Sequence, residues 1–173
     1  MKIALISCLQ QDAAYASWDE VPAEKLFNSD FFKLANIYAE KIYGADRVYF
    51  LSTKYAILKP QQIVSPYENH FGDEDMQRMR CRRIISQLIL DGCDLESDEF
   101  LFLADEHYTT CIHEIGMIQS MIMPLQEMDS SNAVNYLANE LEDHGLLPQS
   151  VKARLNFSNL LKSTNQICKE MEL

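Results

Sequence analysis

The chain has 173 residues, 47% of them hydrophobic, with eight Tyr, eight Phe and one Trp. That is enough apolar and aromatic material for one compact core, and it excludes intrinsic disorder. Fifteen basic residues against 26 acidic ones leave a formal charge of −11. Such a surface repels a nucleic-acid backbone and disfavours a partner role with double-stranded nucleic acid.

No apolar run approaches the length of a membrane span, so a soluble chain with no membrane partner is expected. The start, Met1 to Ile6, is too short for a signal peptide and meets Gln10, Gln11 and Asp12 at once, so it reads as a strand. Five cysteines (Cys8, Cys81, Cys93, Cys111, Cys168) are widely spaced, none in a CxxC pair. With no export signal they are expected to be reduced thiols in a cytoplasm. Cys111 and His113 form the only close Cys/His pair, and on a helix they point to different faces, so no metal site is expected.

Residues 3–6 form a continuous apolar run ending in Ser7 and Cys8, the form of a central parallel strand. Residues 9–20 are polar and irregular, a loop long enough to close over a site. Pro22 opens a helical turn through Phe27. Asn28 or Ser29 can cap a helix in which Phe31, Leu34, Ala35, Tyr38 and Ile42 recur at helical spacing up to Gly44. Val48, Phe50 and Leu51 then make a buried strand that breaks into Ser52, Thr53, Lys54 and Tyr55. Strand, helix and strand in this order predict a parallel crossover.

Two prolines make residues 59–68 an extended excursion that lays Tyr67 near the sheet edge. Asp73 to Asp75 start a helix to about Leu90 with Cys81, Ile84, Ile85 and Leu88 inside. Its arginines at 78, 80, 82 and 83 read as a solvated, ion-paired face, with Glu74 reaching Arg78. Residues 100–104 are a third buried strand. Asp105 to Tyr108 begin a helix towards Glu114 that Gly116 ends. Residues 118–125 suggest another strand. Ser130 or Ser131 caps a helix carrying Val134, Leu137, Ala138 and Leu141, and a last helix follows from Ser150. The fold class is α/β: a single domain with a mostly parallel sheet of about four strands and helices on both faces. Residues 1–145 form its core, and residues 146–173 are a C-terminal helical extension packed on the same domain.

In an open α/β sheet, ligands collect at the carboxyl ends of strands. Three such ends bring chemistry here: Ser7 and Cys8; Ser52, Lys54 and Tyr55; Asp105, His107 and Tyr108. Lys54 can bind an anion or polarise a leaving group, or simply pair with surface acid. Tyr55, Tyr67 and Tyr108 can stack on a ring, or fill core. Cys8 has no histidine at a recognisable distance, which favours an inert buried thiol. Asp105 can activate water or cap its helix.

Ile6-Ser7-Cys8, Leu26-Phe27-Asn28-Ser29 with Phe32, and the segment Leu51-Ser52-Thr53-Lys54-Tyr55-Ala56-Ile57-Leu58 come in a telling order. Pro66-Tyr67, then Leu103-Ala104-Asp105-Glu106-His107-Tyr108, and finally Pro124-Leu125 follow them. Together they resemble a group of small bacterial and phage proteins of unknown function, over residues 1–141. The resemblance implies a distant likeness to the bacterial peroxide-stress protein family and to an accessory domain of archaeal tRNA-guanine transglycosylases. Both would place a uracil-glycosylase-like core here and point towards nucleobase handling.

The chain departs from that pattern in three places. Leu9-Gln10-Gln11 replaces a lysine-bearing run after Cys8, which argues against a phosphate-rich ligand there. Ala56 and Asp105 each replace a glycine. The function expected is a nucleobase- or nucleoside-directed N-glycosidase-like hydrolase needing no metal or cofactor. In that scheme Lys54 and Asp105 are catalytic, and Ser7, Cys8, Ser52, Tyr55, Tyr67 and Tyr108 bind the ligand. The alternative is a non-catalytic nucleotide-binding or protein-interaction module, an inhibitor or mimic whose acidic surface meets a protein partner.

Overall fold

A computed structural model describes residues 1–8, 11, 14–16, 18–70, 72–104, 108 and 116–155. Within them, Lys2–Ser7 (β1) is the centre of a five-stranded sheet. Arg47–Ser52 (β3) runs parallel to it on one side and Glu99–Leu103 (β6) parallel on the other. Ala56–Leu58 (β4) turns back antiparallel on β3, and Ser120–Ile122 (β7) adds a parallel edge beyond β6. A separate two-residue ladder joins Val21–Pro22 (β2) to Ile63–Val64 (β5). The architecture is therefore α/β with a mostly parallel sheet, one strand wider than the sequence implied.

Alternation along β1 sorts the two cores. Ala4, Ile6 and Cys8 face a cluster with residues of helices Ala23–Leu26 (α1), Asp30–Ile37 (α2) and Ser130–Asp143 (α4). Ile3 and Leu5 face the other cluster, built on Cys81, Ile84, Ile85 and Leu88 of helix Glu74–Leu90 (α3). A central strand buried on both faces needs the unbroken apolar run that residues 3–6 supply. Each such aliphatic side chain contributes about 1.5–3 kcal/mol by leaving water.

The helix signals hold with two adjustments. Ser29 caps α2, its Oγ accepting from Phe32 N at 3.1 Å. The helix then widens into a π-helical stretch, Tyr38–Tyr43, before Gly44 ends it at φ 72°. Asp73 caps α3. Asp129, not Ser130 or Ser131, caps α4, because its carboxylate accepts from Asn132 N at 2.8 Å and the serines fall inside the first turn. Arg78 stands 3.9 Å from Glu74 as spacing implied, but Arg80 is buried rather than solvated.

Residues 149–155 are helical, and Val151 is buried in the same core as α2 and α4. The remainder of the last helix expected from sequence falls outside the described residues. Cys8 and Cys93 are free thiols, whereas Cys81 is disulfide-bonded. That corrects the expectation of five reduced thiols and removes the compartment argument drawn from them. Among the described residues no helix is long and apolar enough to cross a membrane.

Candidate functional site at the carboxyl end of the sheet

Registers bring three strand ends to one level: Ser7 pairs with Leu51, and Ile6 with both Phe50 and Leu103. Cys8 N donates to Leu51 O at 3.2 Å and extends the β1–β3 ladder by a step. Chain order leaves β1 to β3 on one side and returns to β6 on the other, so the topological switch point is between β1 and β6. Sequence reasoning located the carboxyl edge but centred it on β3.

Beyond β3 the polar residues form a tight turn before β4. Ser52 is fully buried, and its Oγ accepts from Lys54 N at 3.2 Å and from Tyr55 N at 3.1 Å. The same oxygen is 2.7 Å from the Tyr67 hydroxyl. A serine hydroxyl has two acceptor sites and one proton. With both acceptor sites filled by backbone N–H groups, Ser52 donates to Tyr67, and the phenol proton of Tyr67 is left to serve another acceptor. Burial pushes that phenol up to about 12, with the Ser52 hydrogen bond pulling the other way. Tyr67 is therefore a standing donor at neutral pH and not a base.

Tyr55 and Tyr67 meet edge to face, centroids 5.4 Å apart at 87°. The Lys54 ammonium sits over both rings, 5.1 Å from the Tyr55 centroid and 5.7 Å from that of Tyr67, within cation–π range. Lys54 itself is exposed. Among the described residues no carboxylate pairs with it.

Three residues that the sequence did not single out hold this geometry. Arg80, reaching in from α3, donates to Thr53 O at 3.1 Å and to His70 O at 2.8 Å, tying the turn to the Tyr67 segment. Its signal was present: position 80 lies four residues before Ile84 on the buried stripe. Gln11 grips the Tyr67 backbone at both ends of its amide, accepting from Tyr67 N at 2.9 Å and donating to Tyr67 O at 2.6 Å. Thr53 donates to Asn69 Oδ1 at 2.9 Å. Neither Gln11 nor Asn69 carries any periodicity that could have marked it.

The other site residues fare unevenly. Ser7 is buried at the end of β1. Cys8 is 1% exposed, its thiol donates to Ile6 O, and burial pushes it well above the usual thiol range. This is an inert core thiol. Tyr108 is likewise 1% exposed and spends its hydroxyl on Leu51 O at 3.3 Å, so it supports β3 rather than offering a ring. Asp105, Glu106 and His107 lie outside the described residues. Among the described residues no three His, Cys, Asp or Glu side chains gather closely enough to hold a metal ion.

The model of a family of unknown function, DUF6884, matches residues 3–139. The chain belongs to that family. The match runs from β1 into α4 and so contains every element of the site just described. No characterised protein and no solved structure matches the chain.

Proposed function

We propose that the carboxyl end of the sheet binds a nucleobase or nucleoside and that the protein acts on it as an N-glycosidase-type hydrolase. The observation that carries this reading is the hydrogen-bond arithmetic at Ser52. Among the described residues it leaves one phenol proton on Tyr67 unspent beside the Lys54 ammonium, both at a strand end. Two such donors suit the carbonyl oxygens and ring nitrogens of a base. In the reaction, water adds to the anomeric carbon, the C–N bond breaks, and the base departs with a proton. Donors aimed at the departing base stabilise the charge it develops. Asp105 is the carboxylate of this DUF6884 chain assigned to water activation.

A thermal-shift screen of nucleobases, nucleosides and nucleotides, with each hit taken to chromatography, tests the proposal. Stabilisation with release of free base supports it. Lys54→Ala is expected to abolish binding while the ligand-free melting temperature stays unchanged, since Lys54 is exposed. Wild-type affinity in that variant would remove Lys54 from the scheme.

A second reading, a non-catalytic binding module, is supported by the packing of Phe27. Its ring lies against Phe32 and Phe50, with centroids 5.6 and 6.3 Å away. Phe27 is buried in the core on one face of the sheet and Tyr108 in the core on the other, so neither ring is open to a ligand. Stabilisation without product in the same screen selects this reading.

A further inference from the structure

The site as described offers two donors beside a pair of half-buried rings. Tyr55 and Tyr67 are turned edge to face against each other, and Lys54 lies over both. The chain's one tryptophan, Trp18, is 81% exposed. An indole left in water forgoes the largest burial gain any side chain offers.

The segment that carries Trp18 has both feet on the stretch that carries Tyr67. At one foot, Gln11 grips the Tyr67 backbone through two hydrogen bonds. At the other, Val21 and Pro22 pair antiparallel with Val64 and Ile63. Between the feet, Asp19 closes a turn: its carboxylate accepts from Ala16 N at 2.7 Å and its amide donates to Ala16 O at 2.9 Å. Asp19 holds the turn in this shape, and Trp18 immediately precedes it.

We propose that Trp18 is the base-stacking residue of this site, laying its indole on the purine or pyrimidine ring of a nucleoside whose acceptors meet Tyr67 and Lys54. The inference rests on the nucleoside-binding reading above and adds the contact that would select an aromatic ligand over a plain sugar. Aromatic stacking tolerates any base because each has a π face. Purines, with the larger face, should bind best, and free ribose should not bind.

Because Trp18 is the only tryptophan, its emission reports on this one position. Adenosine, guanosine, cytidine and uridine, with ribose as control, are titrated against the full chain while emission and thermal shift are both followed. Saturating quenching over the concentration range that produces the thermal shift is expected. Trp18→Ala should weaken binding on the order of tenfold to a hundredfold, the range that base stacking supplies. Trp18→Phe should recover most of the loss. Neither change should move the ligand-free melting temperature, given the exposure of the ring.

A thermal shift with unchanged emission and wild-type affinity in Trp18→Ala overturns the inference and leaves the nucleoside reading standing. No shift and no quenching with any nucleoside overturns both.

Discussion

Replacing Ser52 by Ala removes one oxygen atom and three hydrogen bonds at once: those from Lys54 N, from Tyr55 N and with Tyr67. The side-chain volume hardly changes, so no cavity contribution enters. At about 1 kcal/mol for each hydrogen bond lost, the variant is expected to be destabilised by roughly 3 kcal/mol. Tyr67→Phe removes only the shared hydroxyl pair and is expected to cost about 1 kcal/mol. The double variant should then cost about 3 kcal/mol rather than the additive 4, a coupling of about 1 kcal/mol. Urea denaturation of all four proteins with linear extrapolation measures each value. A Ser52→Ala cost below about 1 kcal/mol would mean that Ser52 does not cap the Lys54–Tyr55 turn. Strict additivity would mean that the two hydroxyls do not pair, and the argument for a free phenol proton on Tyr67 would fall with it.

Two further predictions concern the same region and its flank. Ala56 is buried at φ 66°, a left-handed conformation. Ala56→Gly relieves about 1–2 kcal/mol of that strain but loses about 0.8 kcal/mol of buried methyl and about 0.4–1 kcal/mol to unfolded-chain freedom. The glycine variant should therefore fall within about 1 kcal/mol of wild type, whereas Ala56→Val should lose more than about 2 kcal/mol by crowding a branched side chain into packed space; equal costs in urea denaturation would refute the left-handed assignment. At Asp91, hydrogen bonds first from Lys59 and then from Tyr49 hold the carboxyl below the usual carboxylate range. Stability from a depressed carboxyl is fully present above its unfolded value of about 3.9 and is lost as pH falls through its lower folded value. Asp91→Asn should thus flatten the acid end of the stability-versus-pH curve, and an unaltered slope below pH 4 would count Asp91 out.

The parts of this fold that were readable from sequence are those governed by local pattern. An apolar run of four residues before Ser7, too short for a helix of ordinary length, reads as a strand buried on both faces, and β1 is that strand. The Ser29 and Asp73 caps follow from the side-chain oxygens that precede the helical periods. The Asp129 cap was missed because two serines beside it are equally good local candidates, and only the tertiary start of the helix decides among them. Strand order was not legible in detail. Nothing in the residues of β6 says that it lies on the far side of β1 from β3, yet that placement moves the switch point.

The site divides along the same line. Ser52, Lys54, Tyr55 and Tyr67 could be nominated because polar groups directly after an apolar strand, and a tyrosine on a proline-bounded excursion, stand out locally. What fixes them could not be nominated. Gln11 and Tyr67 are 56 residues apart and Arg80 reaches Thr53 across 27, and these pairings exist only once the chain has closed. Gln11 also gives physical sense to the departure from the lysine-bearing pattern after Cys8. A lysine there would offer a cation but no acceptor for Tyr67 N, and so could not hold both ends of that peptide. The amide makes a seat under Tyr67. The positive charge at the sheet's edge then comes from Lys54, set 5.7 Å from the ring that Gln11 positions. A Gln11→Lys change would therefore remove the acceptor for Tyr67 N and loosen the phenol, which a lower melting temperature would report.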